Sequence, residues 1–452
     1  GEKNVAVGGA ALEANTTADR NTAIGNTALN ANTTGIYNTA VGASSLVANT
    51  TGNNNVAIGY QALDSNVTGH DTVAIGKGAL QAFTGGTSVG GSVGVGRDAL
   101  NFLTTGESHV AIGENAGYSV TTGNNTIAVG ALALMNNTGN DNVAVGHHAL
   151  KENSSATNNV AVGRSALDAT TTGGYNVAIG AECLTANTTG IDNTAVGYLA
   201  LAAHTTGNNN VAVGNNVLDA CTTGVYNTGL GRKALTEATT ADNNTSIGAF
   251  SAGNITTGEH NICLGVHAGN YSTTITTGEG NIHIGNYTIA NSNNATKEII
   301  IGYNVTGQGD HTFTFGSGAS DTVCAHGANT FTNPSDQRMK EEITTSTAGL
   351  GFINDLRPVT FKWKQEKDIP TTLNGYVKDS NKRYQTDTTQ HGFIAQEVKT
   401  AIDAHSELKD GFDMWREDAK DGRQRIGETA LIPILVKAIQ ELSTEVTALK
   451  SK

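Results

Sequence analysis

Several residue types are rare in this chain of 452 residues, and their distribution divides it in two. The four prolines and two tryptophans all lie at or after Pro334. Because proline removes a backbone hydrogen-bond donor, its absence before Pro334 permits an uninterrupted β-sheet there. Charge is also sparse in that part, with 9 Lys and Arg and 21 Asp and Glu, against 18 and 19 in the shorter remainder. The composition therefore predicts a domain boundary close to Pro334.

The absences also exclude several classes of function. The net charge is −13, and nearly all of it belongs to the first part. That part would repel phosphate backbones, so we expect no nucleic-acid partner. No apolar run approaches the ~18 residues that span a bilayer, so we expect no membrane insertion. The cysteines share no metal-ligand spacing, which predicts free thiols with no metal and no cofactor; they are Cys183, Cys221, Cys263 and Cys324.

A short phrase recurs through the first part at nearly every seventeenth position. It has the form Asn-(Val/Thr)-Ala-(Ile/Val)-Gly and occurs in 18 copies, with longer steps into Gly96 and Gly285 and one shorter step into Gly146. Such a period is typical of a solenoid in which each repeat forms one coil. The glycines of the copies are Gly8, Gly25, Gly42, Gly59, Gly76, Gly96, Gly113, Gly130, Gly146, Gly163, Gly180, Gly197, Gly214, Gly231, Gly248, Gly265, Gly285 and Gly302.

Each copy predicts a coil of two short strands and two turns. The residue before the glycine is aliphatic, and the residue two positions before that one is usually Val, Thr or Ile. This alternation is the period of a strand. A Leu such as Leu29 usually follows, and the next Asn-Thr-Thr-Gly supplies a turn. Eighteen stacked coils would form a parallel β-solenoid roughly 80 Å long. Its handedness stays open, as does whether the Leu column faces its own chain or a neighbour. An interwound triple β-helix is the competing geometry.

Asn-x-Thr triplets at Asn15, Asn32 and Asn49 match the acceptor pattern for N-glycosylation. They recur in phase with the coil. We therefore interpret them as turns in which Asn and Thr side chains stack from coil to coil.

The repeated phrase resembles the head repeats of trimeric autotransporter adhesins. The similarity lies in phrases such as Asn55 to Gly59 and Asn38 to Gly42, and the repeats of that family are shorter than those of this chain. In that family each chain forms a parallel β-roll, and three rolls pack as a trimer. The resemblance therefore implies a homotrimer.

Ser335 and Lys340 stand close together just after the predicted boundary. A serine nucleophile needs a base, and a lysine can serve if burial lowers its pKa towards neutrality. The spacing alone has a second interpretation. Ser335 could instead cap a helix that runs from Arg338 to Ile343.

The segment 335–343 resembles the start of the endosialidase-type C-terminal intramolecular chaperone, whose signature is Ser-Asp-x-Arg-x-Lys-x-x-Ile. Three more stretches similar to that family follow in order, at 356–364, 391–398 and 431–442. The family occurs at the ends of phage tailspikes and tail fibres. Its module trimerises, templates folding of the fibre ahead of it, and then cuts its own chain before the signature serine.

The resemblance implies a role for each matching residue. Ser335 would be the nucleophile and Lys340 its general base. The chain would be cut once, between Pro334 and Ser335. Asp336 and Arg338 match the motif and are assigned supporting roles. The enzymatic activity expected is therefore that of a self-cleaving serine endopeptidase, and no other.

The last residues predict a short coiled coil. Apolar residues there are spaced 4, 3, 4 and 3 apart, which is a heptad seam. Two heptads are marginal alone, so we expect the helix to be one strand of a trimer. The seam residues are Leu435, Ile439, Leu442, Val446 and Leu449.

These observations predict a mainly β protein in three parts. Residues 1–315 would form a trimeric β-solenoid fibre, 316–334 a connector with the cleavage junction, and 335–452 a small α/β chaperone that ends in a coiled-coil helix. The leading hypothesis is a phage tail fibre or tailspike that attaches the virion to its host, assembled in the bacterial cytoplasm. A glycan or protein of the host surface would be its receptor. The repeats could serve as a stiff spacer, with recognition in a missing N-terminal part or in loops of the longer repeats near Gly86 and Asn270. Because the chain begins at Gly1 inside a repeat, we expect a preceding part that binds other tail proteins.

Two alternatives remain at this stage. The same module could end an adhesin fibre on a bacterial surface. A glycan depolymerase could also lie between subunits, but it needs paired carboxylates, and acidic residues in the repeats are scattered. Examples are Asp64, Asp98, Asp168 and Asp219.

Overall fold

The computed structural model describes residues 1–85, 91–106, 108–318, 320–326, 335, 337, 340–373, 375–408, 412, 414–417 and 422–451. The chain divides into two compact units, Gly1–Pro334 and Ser335–Lys452. Each unit is described by itself.

The first unit is a parallel β-solenoid with one strand per repeat. Each strand pairs in register with the strand of the next coil, so that Val160 stands beside Val177. The solenoid and its 18 coils are as predicted from the repeat. The repeat strands are β1 Val5–Val7, β2 Thr22–Ile24, β3 Thr39–Val41, β4 Val56–Ile58, β5 Val73–Ile75, β6 Val93–Val95, β7 Val110–Ile112, β8 Ile127–Val129, β9 Val143–Val145, β10 Val160–Val162, β11 Val177–Ile179, β12 Thr194–Val196, β13 Val211–Val213, β14 Thr228–Leu230, β15 Thr245–Ile247, β16 Ile262–Leu264, β19 Ile282–Ile284 and β20 Ile299–Tyr303.

Four further strands belong to this unit. The second lengthened repeat contains a small antiparallel hairpin of β17 Asn270–Tyr271 and β18 Thr273–Thr274, whereas Gly86 of the first lies outside the described residues. After the last repeat, β21 Thr312–Ser317 continues the parallel sheet beside β20. Strand β22 Ser320–Ala325 pairs antiparallel with β21. It lies within residues 316–334, the segment predicted to be a connector.

The core of the solenoid is built from small residues and leucines of one chain. The middle residue of a strand, such as Ala178, is completely buried, and so is the leucine that follows, such as Leu184. Because strands pair along the same chain and the Leu column faces that chain's own core, each chain forms its own solenoid. The interwound triple β-helix is therefore not the geometry of this repeat.

Apart from the hairpin of the second lengthened repeat, the second strand predicted for each coil does not occur in the coils that the structure describes. The segment around each leucine is a turn in which alternate residues take the left-handed conformation, as Thr27 (φ 56°) and Leu29 (φ 51°) do. A strand cannot contain such residues. The segment still hydrogen-bonds to its neighbour, because Leu29 N–H donates to the carbonyl of Ser45 at 3.0 Å.

Asparagines stack inside the solenoid and close its turns. The Nδ2 of Asn193 donates to the carbonyl of Gly207 at 3.0 Å, and its Oδ1 accepts the backbone N–H of Asn210 at 3.0 Å. In the Asn-x-Thr turns, buried Asn49 donates to the Oδ1 of Asn32 at 2.9 Å. These turns are therefore stacked as predicted, and their buried asparagine side chains are not accessible for glycosylation.

The second unit is small and mixed α/β. Its core surrounds Phe352, whose ring meets those of His405 and Phe412 edge-on at 5.4 and 5.8 Å between centroids. The helices are α1 Leu350–Asp355, α2 Ala395–Ala404 and α3 Leu431–Lys450. The strands form two antiparallel pairs, β23 Val359–Phe361 with β24 Gln390–Gly392 and β25 Trp415–Glu417 with β26 Gln424–Ile426.

Candidate active site

Ser335 and Lys340 meet at the start of the second unit. The Nζ of Lys340 donates a hydrogen bond to the Oγ of Ser335 at 2.7 Å. The backbone N–H of Lys340 also donates to the carbonyl of Gln337 at 3.1 Å, and this turn folds the lysine back towards the serine. The two residues that the sequence analysis singled out therefore lie within direct hydrogen-bonding distance.

The competing interpretation makes Ser335 the cap of a helix from Arg338 to Ile343, and the start of that helix lies outside the described residues. Gln337 lies in a 3₁₀ turn, and residues 340–348 are not helical. A helix that runs to Ile343 therefore does not exist for Ser335 to cap.

The environment of the pair limits what one chain can do by itself. Ser335 and Lys340 are both exposed. A lysine acts as a general base only in its neutral form, which burial favours by lowering the pKa. One chain thus places the serine hydroxyl against the lysine amine but leaves the lysine in water.

The other residues assigned to the site cannot be placed. Pro334, Asp336 and Arg338 lie outside the described residues. The cleavage junction and the supporting roles of Asp336 and Arg338 therefore stay predictions from the sequence.

Comparison with protein families identifies the segment that begins at this serine. Residues 335–406 match the family described as the chaperone of endosialidase. That family is the self-cleaving chaperone domain of endosialidase. No curated protein and no solved structure matches the chain. A long β-solenoid followed by this segment fits a tail-fibre-like protein with a C-terminal chaperone domain.

Within the chaperone segment, residues 335–406, a salt bridge joins two of the sequence stretches. The Nε of Arg357 donates to the Oε2 of Glu397 at 2.9 Å, and its second nitrogen contacts the other carboxylate oxygen. This contact with Arg357 holds the pKa of Glu397 below its usual range. The two residues are 40 positions apart, so no local pattern could have revealed their pairing.

Helix α3 lies beyond the family match and has two different faces. One face packs into the second unit through Leu431, Ile434 and Ala438, which are buried. The carboxylate of Glu441 accepts the backbone N–H of Leu350 at 2.8 Å, and this bond ties α3 to the start of α1. All five residues of the predicted seam are on α3 and are 41–69% exposed: Leu435, Ile439, Leu442, Val446 and Leu449.

The described part of the chain lacks the features of a metal site or a membrane span. It contains no group of three or more His, Cys, Asp or Glu residues placed to hold a metal ion. None of its helices is long and apolar enough to span a membrane. Cys183, Cys221 and Cys263 are free thiols buried in the solenoid, whereas Cys324 is partly exposed.

Proposed function

We propose that the protein is a homotrimeric tail fibre or tailspike of a phage. Its C-terminal unit directs trimerisation and then releases itself by cutting the chain between Pro334 and Ser335. The observation that carries the proposal is the 2.7 Å hydrogen bond from Lys340 to Ser335, at the first residue of a segment that matches a self-cleaving chaperone family.

The chemistry follows from the position of the serine at the junction. The Oγ of Ser335 attacks the carbonyl carbon of Pro334, and the hydroxyl proton passes to the amine of Lys340. The peptide C–N bond then breaks, and Lys340 returns the proton to the departing amine of Ser335. Water hydrolyses the resulting ester, again with Lys340 as base. The products are a carboxylate at Pro334 and a free amine at Ser335, so each chain reacts once.

Cleavage should depend on assembly. Lys340 is exposed in one chain and must lose water to act as a base. A neighbouring subunit that covers the pair would provide this burial. Release would then follow trimerisation, and an unassembled chain would stay whole.

Helix α3 supports the trimer. An exposed heptad seam on one amphipathic helix is the arrangement of a coiled-coil strand that lacks its partners. Residues such as Ile439 and Leu449 are 65% and 69% exposed, which is costly for a helix that remains single. Two copies of the same seam from other chains would cover them.

The solenoid would then be the fibre that reaches the host. In a virion it would be assembled in the bacterial cytoplasm and carried on the tail, with a host glycan or protein as receptor. Other tail proteins of the virion would be further partners of the fibre.

The test is a denaturing gel with intact-mass measurement of the expressed chain. The wild type should split into one piece that ends at Pro334 and another that begins at Ser335. Ser335→Ala and Lys340→Ala should each stay whole. Gln337→Ala is the matched control, because it keeps the backbone carbonyl that accepts the N–H of Lys340, and it should cleave normally. A wild type that stays whole while forming a trimer would show that the unit is a permanent cap and that the peptidase assignment is wrong.

A further inference from the structure

Aromatic side chains form a column on the solenoid near the end of the repeats. The residue two positions after the repeat glycine is small or polar in most coils. In three consecutive coils it is instead aromatic, as Phe250, His267 and Tyr287. The backbone N–H of His267 donates to the carbonyl of Ala249 at 3.0 Å, and that of Tyr287 to the carbonyl of Val266 at 2.9 Å. These bonds hold the three residues in register, one coil above the next.

The rings of this column stack along the solenoid. Phe250 and His267 lie face to face, with 4.9 Å between their centroids and 5° between their planes. His267 and Tyr287 continue the stack at 5.6 Å and 14°. The guanidinium of Arg232 lies over the ring of Phe250, 5.1 Å from its centroid. The stack is therefore a fixed base in which each ring holds its neighbour.

Two further tyrosines stand across this stack and are exposed. The ring of Tyr271 meets that of Tyr287 at 5.0 Å and 69°, and the ring of Tyr303 meets it at 5.9 Å and 84°. Tyr271 belongs to the hairpin of β17 and β18 in the lengthened repeat. Tyr271 and Tyr303 are 44% and 59% exposed. We call the five rings of Phe250, His267, Tyr271, Tyr287 and Tyr303 the aromatic cluster.

Exposed amides border the aromatic cluster. Asn286 directly precedes Tyr287, and Asn304 directly follows Tyr303; both asparagines are exposed. The Oδ1 of Asn286 accepts the backbone N–H of Val266 at 2.8 Å, which fixes the orientation of this amide. An amide side chain offers two donors and one acceptor oxygen. The surface thus combines aromatic rings with hydrogen-bonding groups.

We propose that the aromatic cluster binds an oligosaccharide of the host surface. This inference rests on the proposed fibre and identifies the class of its receptor and the site that holds it. The C–H bonds on one face of a pyranose ring pack against the electron-rich face of an aromatic ring. The hydroxyls around the edge of the sugar exchange hydrogen bonds with amides. Tyrosine also loses little conformational entropy when it binds a ligand, because its side chain has only two rotatable bonds.

The dimensions of the aromatic cluster fit a short chain of sugars. It extends over three coil steps from Phe250 to Tyr303, which at about 4.8 Å a step is about 14 Å. A stable protein partner would bury about 800 Å² on each side. Five rings of about 150–250 Å² each, all of them partly covered, present less than that area. The occupant is therefore an extended, narrow molecule that carries hydroxyl groups.

Glycan binding by the full chain tests the proposal. The probe is an array of purified O-chain and capsular polysaccharides from bacterial surfaces, to which the labelled protein is applied at increasing concentration. Tyr271→Ala and Tyr303→Ala each remove one exposed ring of the aromatic cluster. Tyr60→Ala and Tyr198→Ala are matched controls, because these tyrosines also follow a repeat glycine directly and are 52% and 47% exposed, on earlier coils. Circular dichroism verifies that each variant is folded.

We expect the wild type to bind at least one polysaccharide of the array. Tyr271→Ala and Tyr303→Ala should each weaken that binding about tenfold, whereas Tyr60→Ala and Tyr198→Ala should leave it unchanged. Tyr303→Phe keeps the ring and should retain most of the affinity. A wild type that binds no polysaccharide of the array, or cluster variants that bind as the wild type does, would overturn the proposal. An equal loss in the control variants would place the contact elsewhere and overturn it too.

Two further measurements on the same samples separate the possible outcomes. Periodate oxidises the vicinal diols of sugars, so pretreatment of the array should abolish binding; binding that survives it would show that the ligand is not a glycan. Denaturing gels and sedimentation report cleavage and trimer content. A wild type that cleaves and trimerises but binds no polysaccharide would overturn the glycan site alone. A wild type that binds through Tyr271 and Tyr303 but stays whole would overturn the peptidase assignment and keep the site.

Discussion

His283 and Glu298 lie against each other inside the solenoid. Their Nε2 and Oε1 atoms are 3.2 Å apart, and both side chains are completely buried. His283 stands where most coils have the middle Ala of the strand, and Glu298 stands in the column of stacked asparagines. The second carboxylate oxygen of Glu298 accepts the backbone N–H of Asn291 at 3.3 Å. A polar pair thus replaces the usual small residue and amide in one of the last coils.

Removal of Glu298 should destabilise these coils. Glu298→Ala leaves the imidazole of His283 buried without this partner, and we expect a loss of about 3 kcal/mol in the free energy of unfolding. Glu298→Gln keeps the size and one acceptor oxygen, so its loss should be clearly smaller. Urea denaturation followed by circular dichroism measures both. Equal losses would show that the contact with His283 does not stabilise the fold.

The repeat glycines should tolerate no side chain. At Gly163 (φ 137°), a Cβ would lie 2.3 Å from the carbonyl oxygen of Gly180 in the next coil. Gly309 is the control, because its φ of 144° is similar but a Cβ there meets only Thr312 at 3.8 Å. Both alanine variants bear the strain of a left-handed conformation. Only Gly163→Ala must also separate two coils, so its melting temperature should fall further. A similar fall in both would mean that strain alone matters.

The solenoid should lose stability in mild acid. Burial lowers the pKa of His109 and of His204 below the usual 6.5. The unfolded chain therefore binds protons at these sites before the folded chain does, so stability is complete above pH 6.5 and falls as the pH drops below it. His204→Asn introduces the residue found one coil earlier at Asn187, which donates to the corresponding carbonyl. Thermal melts between pH 7 and 5 should show less pH dependence in this variant. An unchanged slope would contradict the assignment to His204.

The buried thiols of the solenoid should be inert while it is folded. Burial raises the pKa of Cys183 and Cys263 to about 12 and that of Cys221 to about 11, so the reactive thiolate is scarce at neutral pH. Iodoacetamide at neutral pH should label Cys324 alone in the native chain and all four cysteines after unfolding. Mass spectrometry counts the labels, and Cys324→Ser should take none when native. Rapid native labelling of Cys221 would show that the coils open there.

The repeat made much of the first unit predictable. A constant repeat length with a strand-like phrase before each glycine predicts stacked coils and their number. The phase of the strand was less accessible, since Ala178 and Ile179 are both apolar and either could face the core. The structure buries Ala178 because a coil this short leaves room between its walls for only a small side chain at that point. Ile179 on the outer side therefore became a surface residue.

In the second unit, too, local features were predictable from the sequence and long-range contacts were not. The spacing of Ser335 and Lys340 and the heptads of α3 are local patterns, and both were visible in the sequence. The contacts of Arg357 with Glu397 and of Glu441 with Leu350 join residues 40 and 91 positions apart. The sequence around each of these four residues does not reveal its partner.

The sequence by itself determined the solenoid and its 18 coils, and it predicts a boundary near Pro334 and a serine–lysine pair. Each of these depends on composition or on spacing within a few residues. Only the tertiary structure decided which side chains enter the core, that the coil has one strand, and that an apolar face remains outside. These depend on left-handed residues such as Leu29 and on the space between coils. Both arise only when distant parts of the chain pack against each other.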